Sequence, residues 1–152
     1  MPADIPEGFR PLNFNMGFVE QCGPLYGNWD GTSLRLGFRV EMRHCNPGQV
    51  AHGGMMATFA DMLLPMASRF QSKQDMGFMP TIQLTCDYLA PAKLGSWVEG
   101  RADVVKITKN LLFSQGTATA DGAPCLRTNG IFRVMPPSGM AFSLENLFGP
   151  AK

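Results

Sequence analysis

One segment constrains the fold of this chain more than any other. Residues 53–70 (GGMMATFADMLLPMASRF) are the only stretch with a sustained helical pattern. The pattern is apolar on nearly every side, and a lone helix of that kind must be wrapped rather than laid on a surface. The rest of the chain supplies strands to wrap it. Leu34, Leu36, Phe38 and Val40 alternate with Arg35, Gly37 and Arg39 across 33–42. Residues 17–29 are strand-like, interrupted by Gly23 and Pro24, and strand patterns return at 79–90, 96–107, 110–120 and 125–135. Asp30-Gly31, Thr108-Lys109-Asn110 and Asp121-Gly122 read as turns, and Pro91 with Gly95 breaks the run between the first two late strands. Short turns favour antiparallel pairing. The expected fold is α+β: two strands, one long central helix, then four strands, forming a curved antiparallel sheet around the helix. Residues 1–16 read as a loose arm, 17–136 as the single domain, and 137–152 as a tail with a short docked helix around 143–148.

The helix has two unlike sides. At 100° per residue, Met55, Met56, Phe59, Leu63, Met66 and Phe70 form a bulky face. Gly54, Ala57, Thr58, Asp61, Pro65 and Ser68 form a small one. A small-residue stripe at period two, Ser114, Gly116, Ala118 and Ala120, offers room for the bulky face. The small face lets another backbone approach, and it carries an acid, Asp61. A carboxylate amid apolar residues is either hydrogen-bonded to a neighbouring strand or catalytic in a cleft.

Composition excludes several roles. A net charge of +1 gives no electrostatic case for nucleic acid or an anionic membrane as main partner. Charged residues are only 16%, which points to surface hidden in an oligomer. Cys22, Cys45, Cys86 and Cys125 are widely spaced, with no pair suited to zinc, so no metal is expected and the thiols fit a reducing cytoplasm. Residues 1–10 lack a signal-peptide core, and no apolar run is long enough for a bilayer.

The most informative segment is NPGQVAHGGMMATFAD, from Asn46 to Asp61. An Asn and a His-Gly-Gly open the helix, and an acid follows eight residues after the first Gly. TIQLTCDYLAPAKLG, from Thr81 to Gly95, continues the pattern with a strand, a Tyr, then a Pro and a Gly. Over about residues 35–135 the chain resembles the hotdog-fold acyl-CoA thioesterases of the phenylacetate-pathway (PaaI-like) type. The resemblance implies hydrolysis of an acyl- or aryl-CoA thioester with no cofactor beyond the coenzyme A of the substrate. It also implies a homodimer with two active sites at its interface, often paired into a homotetramer.

The chemistry fits the spacing. The first amides of a helix lack internal partners and sit at the positive end of its dipole. Gly53, helped by Gly54, can therefore stabilise an oxyanion. Asp61 lies about 12 Å further along the axis, whereas attack needs the groups within roughly 3–3.5 Å of each other or of one shared water. One helix cannot supply both. Two antiparallel helices from two subunits can.

In the family the acid is nucleophile or general base, and sequence does not choose between them. Asn46 matches the family's orienting asparagine, with a simple turn role as the competing reading. His52 is either a cap or a group near the thioester. Thr81 aligns with a hydroxyl that helps hold water in some relatives, or is an ordinary strand threonine. Where many relatives carry Ser or Thr one turn after the acid, this chain has Pro65, and Ser68 is a candidate to compensate. Lys109 and Asn110 are expected near the pantetheine and nucleotide by resemblance. Lys93, Lys106 and Arg127 are further cations for the phosphates. Two other functions compete: a non-catalytic acyl-CoA binder, and a hydratase, which needs His52 to meet Asp61 across subunits.

Overall fold

The computed structural model describes residues 4–14, 17–139 and 143–149. Seven strands form one antiparallel sheet: β1 (Arg10–Pro11), β2 (Tyr26–Trp29), β3 (Leu34–Arg39), β4 (Thr81–Tyr88), β5 (Trp97–Ile107), β6 (Leu111–Ala120) and β7 (Ala123–Arg133). Their spatial order is β1-β2-β3-β5-β6-β7-β4. Helix α1 is Gly17–Cys22, the long helix α2 is Gly53–Ser72, and α3 is Leu144–Phe148. The hotdog architecture is therefore present: a curved antiparallel sheet around one long central helix.

The core is the seam between α2 and the sheet. Phe59, Ala60, Leu63 and Leu64 are fully buried against Leu36, Phe38, Val98, Leu112, Leu126 and Phe132. Truncating one of the large side chains would cost about 3–5 kcal/mol. The small positions of the sheet are shaped by this seam. A Cβ on Gly100 would stand 2.6 Å from Leu63 Cδ2, and one on Gly116 would stand 2.7 Å from the Arg101 carbonyl and 3.2 Å from Leu64 Cδ2.

The turns explain themselves locally. At Asp30-Gly31 the carboxylate accepts the amides of Ser33 and Thr32 and both hydroxyls. Those bonds, that from the Ser33 amide first, hold the carboxyl well below its ordinary range. Gly31 takes φ +98°, a backbone region that suits glycine.

Three local readings of the sequence need correction. Residues 17–22 form helix α1 rather than strand, because the six-residue apolar–polar mixture is too short for its period to separate the two. The first arm contributes a two-residue strand, β1, paired to β2. Ser68 lies on the buried side of α2, where its hydroxyl donates to Ser114 Oγ at 2.8 Å. Ala67, Ser68 and Arg69 are consecutive and all buried, so this turn of the helix is covered around most of its circumference.

The two edges of the sheet differ. At one, β1 is short and carries Pro11, and Leu12 and Phe148 cover the adjoining Gly27. At the other, β4 has no outer strand among the described residues. Ile82 and Tyr88 are exposed along it, with Phe78 and Leu89 just beyond its ends.

Candidate active site

The segment before α2 is a shaped loop. Asn46 Oδ1 accepts the Gly48 amide at 2.9 Å, closing a side-chain-capped turn. The loop is docked by bridges Cys45–Ala51 and Val50–Lys93. The His52 amide donates to the His44 carbonyl at 2.7 Å. Asn46 therefore shapes this loop through its oxygen, and Lys93 lies beside it with an exposed side chain.

Helix α2 begins at Gly53. His52 is its cap: Nδ1 accepts the Gly54 amide at 2.8 Å. The acceptor role requires a neutral ring with its proton on Nε2. The Gly54 amide is thus already used within the chain, which leaves Gly53 as the glycine of the pair with an available N–H. The first amide of a helix has no intrahelical acceptor, and no turn, loop or cap bond takes the Gly53 N–H either. The Gly53 carbonyl accepts the Tyr88 hydroxyl at 3.1 Å. Partial desolvation, with a smaller contribution from Cys86, pushes the Tyr88 phenol up, so it stays a protonated donor.

Two turns on, Asp61 is half-buried. Its Oδ1 accepts the Thr81 hydroxyl at 2.6 Å. Pro65 lies inside the helix, so the Asp61 carbonyl receives no amide from one turn ahead. Ser68 faces the core and cannot replace a hydroxyl at that point.

The sequence-derived residues thus fall into two groups. Asn46, His52, Gly53, Gly54 and Lys93 gather at the start of α2, and Asp61 joins Thr81 further along. Lys109 and Asn110 form the exposed β5–β6 turn. The sheet register puts that turn at the Thr81 end, since Thr81 pairs Phe132 and Phe132 pairs Leu112. Lys106 is exposed, and Arg127 is tied to Asp87 at 2.8 Å. Gly53 and Asp61 stay on one continuous helix, about 12 Å apart along its axis. Two clefts among the described residues, of about 290 and 330 Å³, are lined by Leu12, Val19, Leu25 and Arg43 and by Trp29, Phe70 and Lys73, and neither includes Gly53 or Asp61. The residue that sequence reasoning left without a role is Tyr88. Its signal was the Tyr–Pro–Gly junction after β4.

A long helix held in one antiparallel sheet, opening on a loop with a free glycine amide and carrying an acid on its open side, is a hotdog-fold thioesterase arrangement. Comparison with known proteins agrees. Residues 48–124 match the model of the thioesterase superfamily. A candidate esterase of Pseudomonas aeruginosa is 30% identical over 86% of this chain and 98% of its own length. The mouse protein named acyl-coenzyme A thioesterase 13 is 32% identical over 50% of this chain and 53% of its own. Among solved structures, zebrafish thioesterase superfamily member 2 superposes with a TM-score of 0.70 at 22% identity, covering 80% of this chain and 88% of that one. A mutant of the phenylacetic acid degradation protein PaaI from Thermus thermophilus gives 0.64 at 22%, covering 78% and 98%. The chain belongs to the thioesterase superfamily. No helix among the described residues is long and apolar enough to cross a membrane.

Proposed function

We propose that this protein hydrolyses an acyl- or aryl-CoA thioester to the free acid and coenzyme A, acting as a homodimer with two shared sites. The observation that carries this reading is the division of the site along α2. An unpaired Gly53 amide sits at one point, and a carboxylate held by Thr81 sits about 12 Å away. Tyr88 and Thr81, at opposite ends of β4, tie both points to the open, apolar edge of the sheet. Two copies meeting along that edge with α2 antiparallel bring the Gly53 of each beside the Asp61 of the other.

In that arrangement the Gly53 N–H receives the thioester carbonyl oxygen and stabilises the charge that develops on it. Asp61 takes a proton from the water that attacks the carbonyl carbon and passes it to the sulfur as the C–S bond breaks. Alternatively it attacks the carbon itself, expelling the thiolate and forming a mixed anhydride that a water then cleaves, its protons going to the thiolate and the product acid. By either route coenzyme A leaves as its thiol. Thr81 fixes the carboxylate's rotamer. Lys93, Lys109 and Asn110, all exposed, would meet the pantetheine and phosphates on this reading, and the chemistry asks for no metal or separate cofactor.

The test is direct. The protein is mixed with aryl-, short-, medium- and long-chain acyl-CoAs and a thiol reagent, and free coenzyme A is followed. Turnover on at least one class, lost in Asp61→Asn, supports the reading. Pro65, which removes the amide facing the Asp61 carbonyl, favours a second reading, an acyl-CoA binder without turnover. Saturable binding with no thiol release at high protein concentration would establish that one instead.

A further inference from the structure

The peptide unit between Gly53 and Gly54 is held at both ends. Its oxygen accepts the Tyr88 hydroxyl at 3.1 Å, and its N–H donates to His52 Nδ1 at 2.8 Å. The Tyr88 ring also lies against Gly53, its Cζ 3.5 Å from where a Cβ would stand. Two successive glycines have the widest backbone freedom of any pair, and a helix's first turn is where that freedom is least restrained. A glycine pair left loose there would not keep one N–H aimed at a fixed point. Here the strand β4 and the preceding residue supply the restraint.

We infer that Tyr88 and His52 together clamp the Gly53–Gly54 peptide and thereby aim the neighbouring Gly53 N–H, which makes Tyr88 a positioning residue for the reaction. The inference rests on the thioesterase reading above. Fixing the 53–54 peptide fixes ψ of Gly53. The capping bond fixes His52 relative to the same plane. The Gly53 N–H lies between the two, and no hydrogen bond among the described residues takes it. Tyr88 acts through the backbone and contributes no proton to the chemistry. His52 acts the same way, through the lone pair of Nδ1 that accepts the Gly54 amide.

The test uses the full-length protein and Tyr88→Phe, which keeps the ring and deletes only the hydroxyl. Two quantities are measured: solvent exchange of the Gly54 amide by NMR, and kcat and KM on the best acyl-CoA. A clamp predicts faster exchange at Gly54 with the rest of α2 unchanged. It also predicts a fall in kcat of about fivefold, the size of one neutral hydrogen bond, with KM and the melting temperature unchanged. Unchanged exchange at Gly54 would overturn the clamp whatever the activity. Faster exchange with unchanged kcat would overturn the positioning role. A fall in kcat accompanied by loss of melting temperature and faster exchange throughout α2 would also overturn it, since that is general destabilisation. If the unsubstituted protein turns over no acyl-CoA, the thioesterase reading fails, and the exchange arm still decides the clamp.

Discussion

The amide end and the acid end of α2 are held by different means. At the amide end, backbone is fixed by groups from outside the helix: the His52 Nδ1 on Gly54, the Tyr88 hydroxyl on Gly53, and the His44 main-chain carbonyl on the His52 amide. At the acid end the helix backbone is regular up to Asp61 and then meets Pro65, and the only fixed functional atom is a carboxylate oxygen under the Thr81 hydroxyl. The first end presents a rigid main-chain donor; the second presents a side chain that keeps one oxygen free to react. On the proposed reading, the contrast teaches that a backbone donor for an oxyanion is held by fixing the main chain, whereas a reactive carboxylate is held by fixing its rotamer.

The comparison can be broken by substitution. Asp61→Asn removes the reactive group but keeps an oxygen for Thr81, so turnover should fall by about a hundredfold or more with folding intact. Steady-state kinetics and a melting curve check it, and near-normal activity would remove Asp61 from the mechanism. Gly53→Val puts methyl groups beside the Tyr88 ring, 3.5 Å from the Cβ position. It should lower kcat by about thirtyfold, part of what losing an oxyanion donor costs. Thr81→Ala frees the carboxylate rotamer and should lower kcat by about tenfold, the worth of a hydrogen bond to a charged acceptor.

A smaller effect separates the ends by pH. His44 is buried, its Nδ1 accepts the Glu41 amide at 3.0 Å, and its carbonyl holds His52. Burial pushes the imidazole below its ordinary value of 6.5. The unfolded chain then binds the proton more readily than the folded one. Stability from this group is full above about pH 6.5 and is lost as pH falls below it. The melting temperature should drop by a few degrees between about pH 7 and 5, and His44→Gln should flatten that slope.

The amide end was more legible in the sequence than the acid end. His-Gly-Gly before an apolar run marks a helix start by chemistry that is local, and α2 does begin at Gly53. The bond from Thr81 to Asp61 joins residues twenty positions apart, and it exists only where β4 packs beside α2. Ser68 was misplaced because a helical wheel knows nothing of Ser114, whose hydroxyl draws it inward from a strand 46 residues away. Helix α1 and strand β1 are too short for periodicity to reveal, and their form is set by what they pack against. The edge position of β4 was likewise invisible, since strand order is a property of the whole sheet.

The division of labour between two copies is the claim most open to direct attack. Asp61→Asn and Gly53→Val protein, each expected to keep only a few per cent of normal activity or less, are unfolded together, refolded at equal amounts and assayed. If each site joins one copy's amide to the other's acid, half the dimers are mixed and each mixed dimer has one intact site, so about a quarter of normal activity should return. Activity that stays at the level of the two separate variants, in a mixture shown to contain mixed dimers, would contradict a shared site.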